Sequence, residues 1–172
     1  MVDILPIDIL DDILKISNDL MEGYYLKEEF DITLVYYNPN IYPRREYYKR
    51  YNEQKRLIKE MFNDEIKIMN CNYIPLVYYS KVFKNKKDKE GGSRCHICYK
   101  LRMEKTAKLA KKYGFDYFTT TLSVSPYKNS DVLNEIGKTL EEKYHVNYLE
   151  SNFKKSSFEY VLNGFKCTNT LF

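Results

Sequence analysis

A chain of 172 residues, 44% hydrophobic and 30% charged, is long enough to bury a core without disulfides and has an ordinary globular composition. It contains no apolar run approaching the roughly 18 residues of a membrane helix. MVDILPIDILDD lacks the basic start and small-residue cleavage site of a secretory signal, so the expected compartment is the cytoplasm.

The net charge of +4 is mild, but its distribution is uneven. Lys84, Lys86, Lys87, Lys89 and Arg94 precede a cysteine pair, and Lys100, Arg102, Lys105, Lys108, Lys111 and Lys112 follow it. Such clustering reads either as a footprint for phosphates or as a solvated loop and helix face. There are 18 tyrosines and no tryptophan. Tyrosine stacks on unpaired bases, although most of these are expected in the core or half-buried. The four cysteines are Cys71, Cys95, Cys98 and Cys167. In a cytosolic chain, paired cysteines point to metal or redox chemistry more than to disulfides.

Residues 8–28 read as a helix, with Ile9, Ile13, Ile16, Leu20 and Tyr24 at helical spacing and Asp8 as a candidate cap. Residues 32–37, ITLVYY, form a β-branched and aromatic run without alternation, as expected of a strand buried on both faces. Asn38-Pro39-Asn40 breaks it. Residues 44–62 read as a helix and 66–69 as a second strand, while 74–83 are apolar and ambiguous. Gly91-Gly92 is a break before a helix over about 96–113, in which Tyr99, Met103, Ala107, Ala110 and Tyr113 line one stripe. Lys100, Glu104 and Lys108 line another, and Gly114 is a C-terminal stop. A strand over 116–121, a turn at Ser125-Pro126, a helix over 131–144 and a strand over 146–149 complete the pattern. Alternating strands and helices give an α/β fold with a mostly parallel sheet in one domain. Ligands of such sheets bind beyond the C-terminal strand ends. Asn38–Tyr42 and Ser123–Asn129 fall there, and the cysteine pair opens a helix that could face the same crevice.

Three segments carry candidate chemistry. In Arg94-Cys95-His96-Ile97-Cys98, two cysteines at a helix start can point the same way. The helix dipole and Arg94 would favour thiolates there. Thiolates ligate zinc or iron–sulfur clusters. The same pair would suit a thioredoxin-like redox couple, or could be merely buried, and His96 is more often a neighbour than a ligand. In Tyr37–Pro43, Asn38, Asn40 and Tyr42 could read a base edge or ribose, or could simply form a turn that caps the next helix. Thr119–Asn129 is a run of hydroxyls ending in a cation. It suits a phosphate or nucleotide through Ser125, Tyr127, Lys128 and Asn129, and it equally suits a strand.

Taken together, YYNPNIYP, the stretch from Gly91 to Asn129, Asn134–Gly137 and Asn152–Lys155 resemble the QueH-type epoxyqueuosine reductases over roughly residues 30–155. The resemblance implies a Rossmann-like, adenine-nucleotide-hydrolase-like domain that reduces epoxyqueuosine to queuosine in a tRNA anticodon loop. It also implies a [4Fe–4S] cluster ligated in part by Cys95 and Cys98, with an additional iron as an option. The electron donor is not implied. The family's first strand carries His-x-Cys-Cys-Ala-Pro-Cys. Here that position falls near Leu14 and Lys15, and no cysteine precedes Cys71. The family's C-terminal Cys-x-Cys is matched at most by Cys167. Residues 1–30 and 156–172 are therefore divergent segments. Three explanations stay open: a frameshifted or decayed gene, an inactive paralogue that binds tRNA or a nucleotide, or a metal site using Cys71 or Cys167 with the pair. A zinc-binding domain is a further alternative.

Overall fold

A computed structural model describes residues 30–89, 91–124, 128–150 and 170–171. Within them lie strands β1 (Ile32–Tyr36), β2 (Lys67–Asn70), β3 (Tyr117–Phe118), β4 (Asn147–Tyr148) and β5 (Thr170–Leu171). The helices are α1 (Arg44–Phe62), α2 (Pro75–Val82), α3 (Ser93–Tyr113) and α4 (Ser130–Tyr144). The strands form one sheet in the order β2-β1-β5-β3-β4, with every pair parallel.

All five residues of β1 are buried, which is why the run shows no alternation. Its side chains nevertheless divide by parity, as the pleat requires. Ile32 and Leu34 pack with Ile58 and Phe62 of α1, and Tyr36 meets Tyr47 of the same helix. Val35 points the other way, among Met103, Ala107 and Ala110 of α3 and Leu133 and Leu140 of α4. The sheet is thus covered by α1 on one face and by α3 and α4 on the other.

Several expected boundaries move. The ambiguous segment 74–83 becomes α2, with Pro75 in its first turn where the missing N–H costs nothing, followed by a short 3-10 turn at Phe83–Asn85. The cysteine helix begins three residues early, at Ser93. The strand expected over 116–121 shortens to two residues because its threonines serve the loop instead. Thr119 Oγ1 donates to Leu149 O at 2.7 Å, and Thr120 Oγ1 accepts the Leu122 N–H at 3.3 Å. A 3-10 turn follows at Thr121–Val124. Tyr99, Met103, Ala107 and Ala110 are buried as the stripe requires. Tyr113 is instead 53% exposed, because Gly114 (φ +72°) ends α3 there. Nothing in the sequence suggested β5, which sits between β1 and β3. The helix expected over 8–28, Ser125, Pro126, Tyr127 and Cys167 lie outside the described residues.

Helices α3 and α4 are joined by Glu104, whose Oε1 accepts from Lys143 Nζ and Tyr144 Oη, each at 2.6 Å. Burial acts to raise the Glu104 carboxyl, but these two donors, with Lys108 and the Lys143 charge, bring it down to about 2. Its folded value therefore lies below the unfolded one. The stabilisation is present above about pH 4.3 and is lost as pH falls toward 2. Both lysines are more than half exposed, so solvent screening limits the effect to about 1 kcal/mol. Urea titrations should show Glu104→Gln weaker than wild type by about that amount at pH 7 and matched to it near pH 2. An equal deficit at both pH values would assign the loss to packing instead.

Candidate functional site

The C-terminal ends of β1, β2 and β3 lead into Tyr37–Asn40, Cys71–Tyr73 and Thr119–Thr120, and α3 lays its N-terminal half beside them. The start of α3 is held by the loop before it. Asp88 Oδ2 accepts the Arg94 N–H at 3.2 Å, and Arg94 Nη1 donates to Lys86 O at 3.3 Å. Gly91 adopts φ +81°, a left-handed conformation that glycine takes freely. A Cβ on Gly92 would press on Lys89 O at 3.1 Å. The two glycines thus let the loop turn tightly into the helix.

Cys95 and Cys98 are both free thiols one turn apart on α3, Cys98 buried and Cys95 half-buried. Cys95 Sγ accepts the Gly91 N–H at 3.3 Å. At Cys98 burial opposes the helix dipole and Arg94. Burial dominates and pushes its thiol up to about 12; Lys128 and Arg94 act to lower it, but with less effect. A metal ion would have to displace that proton. His96 is exposed beside Tyr99.

One turn beyond Cys98, Arg102 is 4% exposed. Burial pushes its guanidinium down to about 9, which leaves it charged at neutral pH. Its Nη2 donates a short hydrogen bond to Asn38 Oδ1, tying α3 to the end of β1. Asn38 is 2% exposed. Among the described residues its Nδ2 has no partner in hydrogen-bond geometry, although the Asn38 side chain lies near enough to the Tyr36 hydroxyl to act on it, and the buried Oδ1 of Asn40 has none either. Unsatisfied buried amides are costly and suit a ligand with both acceptors and donors.

Lys128, 9% exposed, acts electrostatically on Cys98. Tyr37 feels both Cys71 and Cys98, though burial is the main cause of its raised hydroxyl pKa. Cys71 is fixed by its backbone, which donates to Tyr36 O at 3.3 Å and accepts from Tyr47 Oη at 3.2 Å. Its thiol is also raised by burial. Cys98, Cys71, Asn38, Arg102 and Lys128 therefore share one neighbourhood. No three His, Cys, Asp or Glu side chains converge as a metal-binding group among the described residues.

Two expected binding residues sit differently. Asn129 Oδ1 accepts the Asp131 N–H at 2.9 Å and caps α4. Tyr42 is 72% exposed, at the rim rather than inside. Arg102 escaped the sequence reading, although its spacing of four from Cys98 and seven from Cys95 put it on the same helical stripe.

The model of the family "Epoxyqueuosine reductase QueH" matches residues 19–168. The chain is 36% identical over 137 residues to the epoxyqueuosine reductase QueH of Streptococcus pyogenes serotype M1, covering 77% of this chain and 53% of that protein. It is 37% identical over 139 residues to the Staphylococcus aureus protein of that name, covering 77% of this chain and 57% of the relative. Over 126 residues it is 37% identical to the Thermotoga maritima one, covering 73% and 65%. The chain thus spans little more than half the length of the first two relatives. On the family match over residues 19–168 and these identities, the chain belongs to the epoxyqueuosine reductase QueH family.

Proposed function

We propose that this chain takes part in the reduction of epoxyqueuosine to queuosine in a tRNA anticodon loop, using an iron–sulfur centre held in part by Cys95 and Cys98. The observation that carries the reading is that the helix bearing the cysteine pair also bears the buried Arg102, bonded to Asn38 at the C-terminal end of β1, with the buried Lys128 acting on Cys98. The C-terminal strand ends are where α/β folds bind ligands. The fold reading follows the same line: a Rossmann-like, adenine-nucleotide-hydrolase-like domain is supported by the all-parallel sheet with helices on both faces. Among the described residues no helix is long and apolar enough to cross a membrane, and cytoplasmic tRNA chemistry agrees with that.

The donors fit half of a cluster site. Cys95 and Cys98 would supply two thiolates, and the Gly91 N–H on Cys95 Sγ is the type of bond that tunes cluster potential. When bound, such a centre supplies single electrons at low potential. The residues of this chain then have separate tasks. Arg102 and Lys128 offset negative charge in the crevice. Asn38 Nδ2 and Asn40 Oδ1 offer a donor and an acceptor to a base edge or ribose. Ser125 and Tyr127 join that polar set in this reading, and Tyr42 stands at its rim. An additional iron and the electron donor belong to the same proposal. A zinc-binding or binding-only role for the same cysteines is the competing reading.

Anaerobic reconstitution with iron and sulfide tests it. A brown protein that converts epoxyqueuosine-containing tRNA under reducing conditions is expected, with the colour lost in both Cys95→Ala and Cys98→Ala. A colourless protein that retains only zinc, or tRNA binding without conversion, would overturn the enzymatic reading.

A further inference from the structure

Beside the crevice lies a face that the described fold leaves uncovered. Leu76 and Phe83 of the α2 region are 75% and 69% exposed, and Tyr79, Ile74 and Tyr42 are exposed with them. Leu76, Tyr79 and Phe83 recur at three and four residues and so share one side of the helical segment. Residues 74–87 contain Lys81, Lys84, Lys86 and Lys87 and no acidic residue. All four lysines are exposed, as are Arg44 and Arg45. The neighbouring acid, Glu46, is paired with Arg50 at 2.7 Å.

The cations and rings are interleaved. Lys86 Nζ lies 5.0 Å from the Phe83 ring centroid, and the Arg44 guanidinium carbon 5.4 Å from that of Tyr73. The face is continuous. Burial chiefly raises Tyr73, whose hydroxyl also senses Tyr79, Arg44 and Tyr42. Tyr73 Oη donates to Ile41 O at 2.6 Å, which fixes the rim. Tyr78 meets Tyr79 edge-to-face with ring centroids 5.4 Å apart and lies close enough to Cys98, Arg94 and Cys95 to interact electrostatically with them. The exposed rings of this face therefore adjoin the half-buried Tyr78, which packs against the same core cluster as Cys95.

We propose that this face, Tyr42, Tyr79 and Phe83 with Arg44, Lys81 and Lys84, is the docking surface for a single-stranded RNA loop, with unpaired bases stacked on the rings and phosphates on the cations. The inference rests on the tRNA reading above and deepens it. Charge complementarity selects a polyanion. Rings interleaved with cations select one with exposed bases, since base–aromatic stacking is independent of sequence. Continuity through Tyr78 selects a ligand that can extend a base into the crevice, as a loop can and a membrane surface cannot.

Fluorescence anisotropy with the full chain tests the surface, using a labelled RNA hairpin with an unpaired loop and a fully paired duplex of equal length. The hairpin should bind more tightly than the duplex. Tyr79→Ala and Phe83→Ala should each weaken hairpin binding by about 5- to 100-fold. Lys81→Gln with Lys84→Gln should flatten the slope of log affinity against log salt by about 0.7 per lost phosphate contact. Tyr113→Ala is the control, an exposed ring beside Lys112 about 27 Å along α3 from Cys95, and should bind as wild type. Hairpin and duplex binding alike, face variants binding as wild type, or an equal loss in Tyr113→Ala would each overturn the proposal. So would self-association abolished by Phe83→Ala in a protein that binds no hairpin, which would assign the face to a second copy. Binding needs neither cluster nor turnover, so the two readings fail separately. Loop binding through this face without epoxyqueuosine reduction sinks the enzymatic reading alone, and reduction with unaltered binding in the face variants sinks the surface alone.

Discussion

Gly137→Ala is expected to destabilise the protein by about 3 kcal/mol, at the upper end of what overpacking a core costs. In an exposed helix the same change would stabilise by about 1 kcal/mol, because alanine is the better helix former. Here the sign reverses. Gly137 is buried in the middle of α4, and a Cβ built on it would lie inside the ring of Tyr148, overlapping Cε1, Cζ and Cδ1. The ring has little room to move. It packs 5.2 Å from Phe118, and its hydroxyl donates to Asn134 Oδ1 at 3.0 Å. Asn134 lies on α4 itself, so helix and ring are clamped together where the glycine lets them touch. Equilibrium urea unfolding of Gly137→Ala, Tyr148→Val and the double variant measures the coupling. The clash predicts that Tyr148→Val removes most of the Gly137→Ala penalty. Additive losses would show that the close approach is not its source.

The reason a glycine stands at position 137 is invisible in the sequence, because its partner comes from a strand after the helix ends. The legible parts are those whose cause is local. ITLVY is legible as a doubly buried strand because β-branched and aromatic residues leave it no polar face. Helix α3 is legible because its apolar and charged residues recur at helical spacing, and its end because Gly114 must take a left-handed conformation. The DYFTTT strand was overestimated because threonine suits a strand and a loop equally, and tertiary partners, Leu149 O and the Leu122 N–H, decided between them. The placement of β5 between β1 and β3 is a long-range pairing that two residues cannot announce.

The candidate site divides in the same way. The cysteine pair and the asparagine turn are local motifs and were visible. Arg102 was lost in a run of basic residues that reads as a solvated face, and only the fold shows that it alone of that run is almost fully buried. The burial of Cys98 is hidden for a related reason. A helix start favours a thiolate, but the desolvation of a buried sulfur outweighs the dipole, and depth is not a property of a five-residue motif.

The buried Arg102–Asn38 bond is expected to be the most costly polar contact to cut from one side. Asn38→Leu removes the acceptor of a charged, almost fully buried donor. Hydrogen bonds to charged groups contribute about 1.5–3 kcal/mol, and removing one partner of a buried charge lies at the upper end. A loss of about 3 kcal/mol is therefore expected at neutral pH, visible as a lower urea midpoint with an unchanged slope. Arg102→Met removes the charge together with its desolvation cost and leaves only a neutral amide to satisfy. It should cost less than Asn38→Leu, even though it deletes the larger group. The double variant removes donor and acceptor together and should be more stable than Asn38→Leu alone, a coupling on the order of 1–3 kcal/mol. That order, with the single asparagine variant the weakest of the three, is what a guanidinium held by this contact predicts. If Arg102→Met proves the weaker single variant and the two losses add, Arg102 serves packing through its stem, and the bond to Asn38 is incidental. Turnover separates the roles further. If the proposed reduction holds, Arg102→Met should lose it while remaining folded, because a buried cation one turn from Cys98 is gone. A structural arginine would leave turnover intact in whatever fraction of the protein stays native.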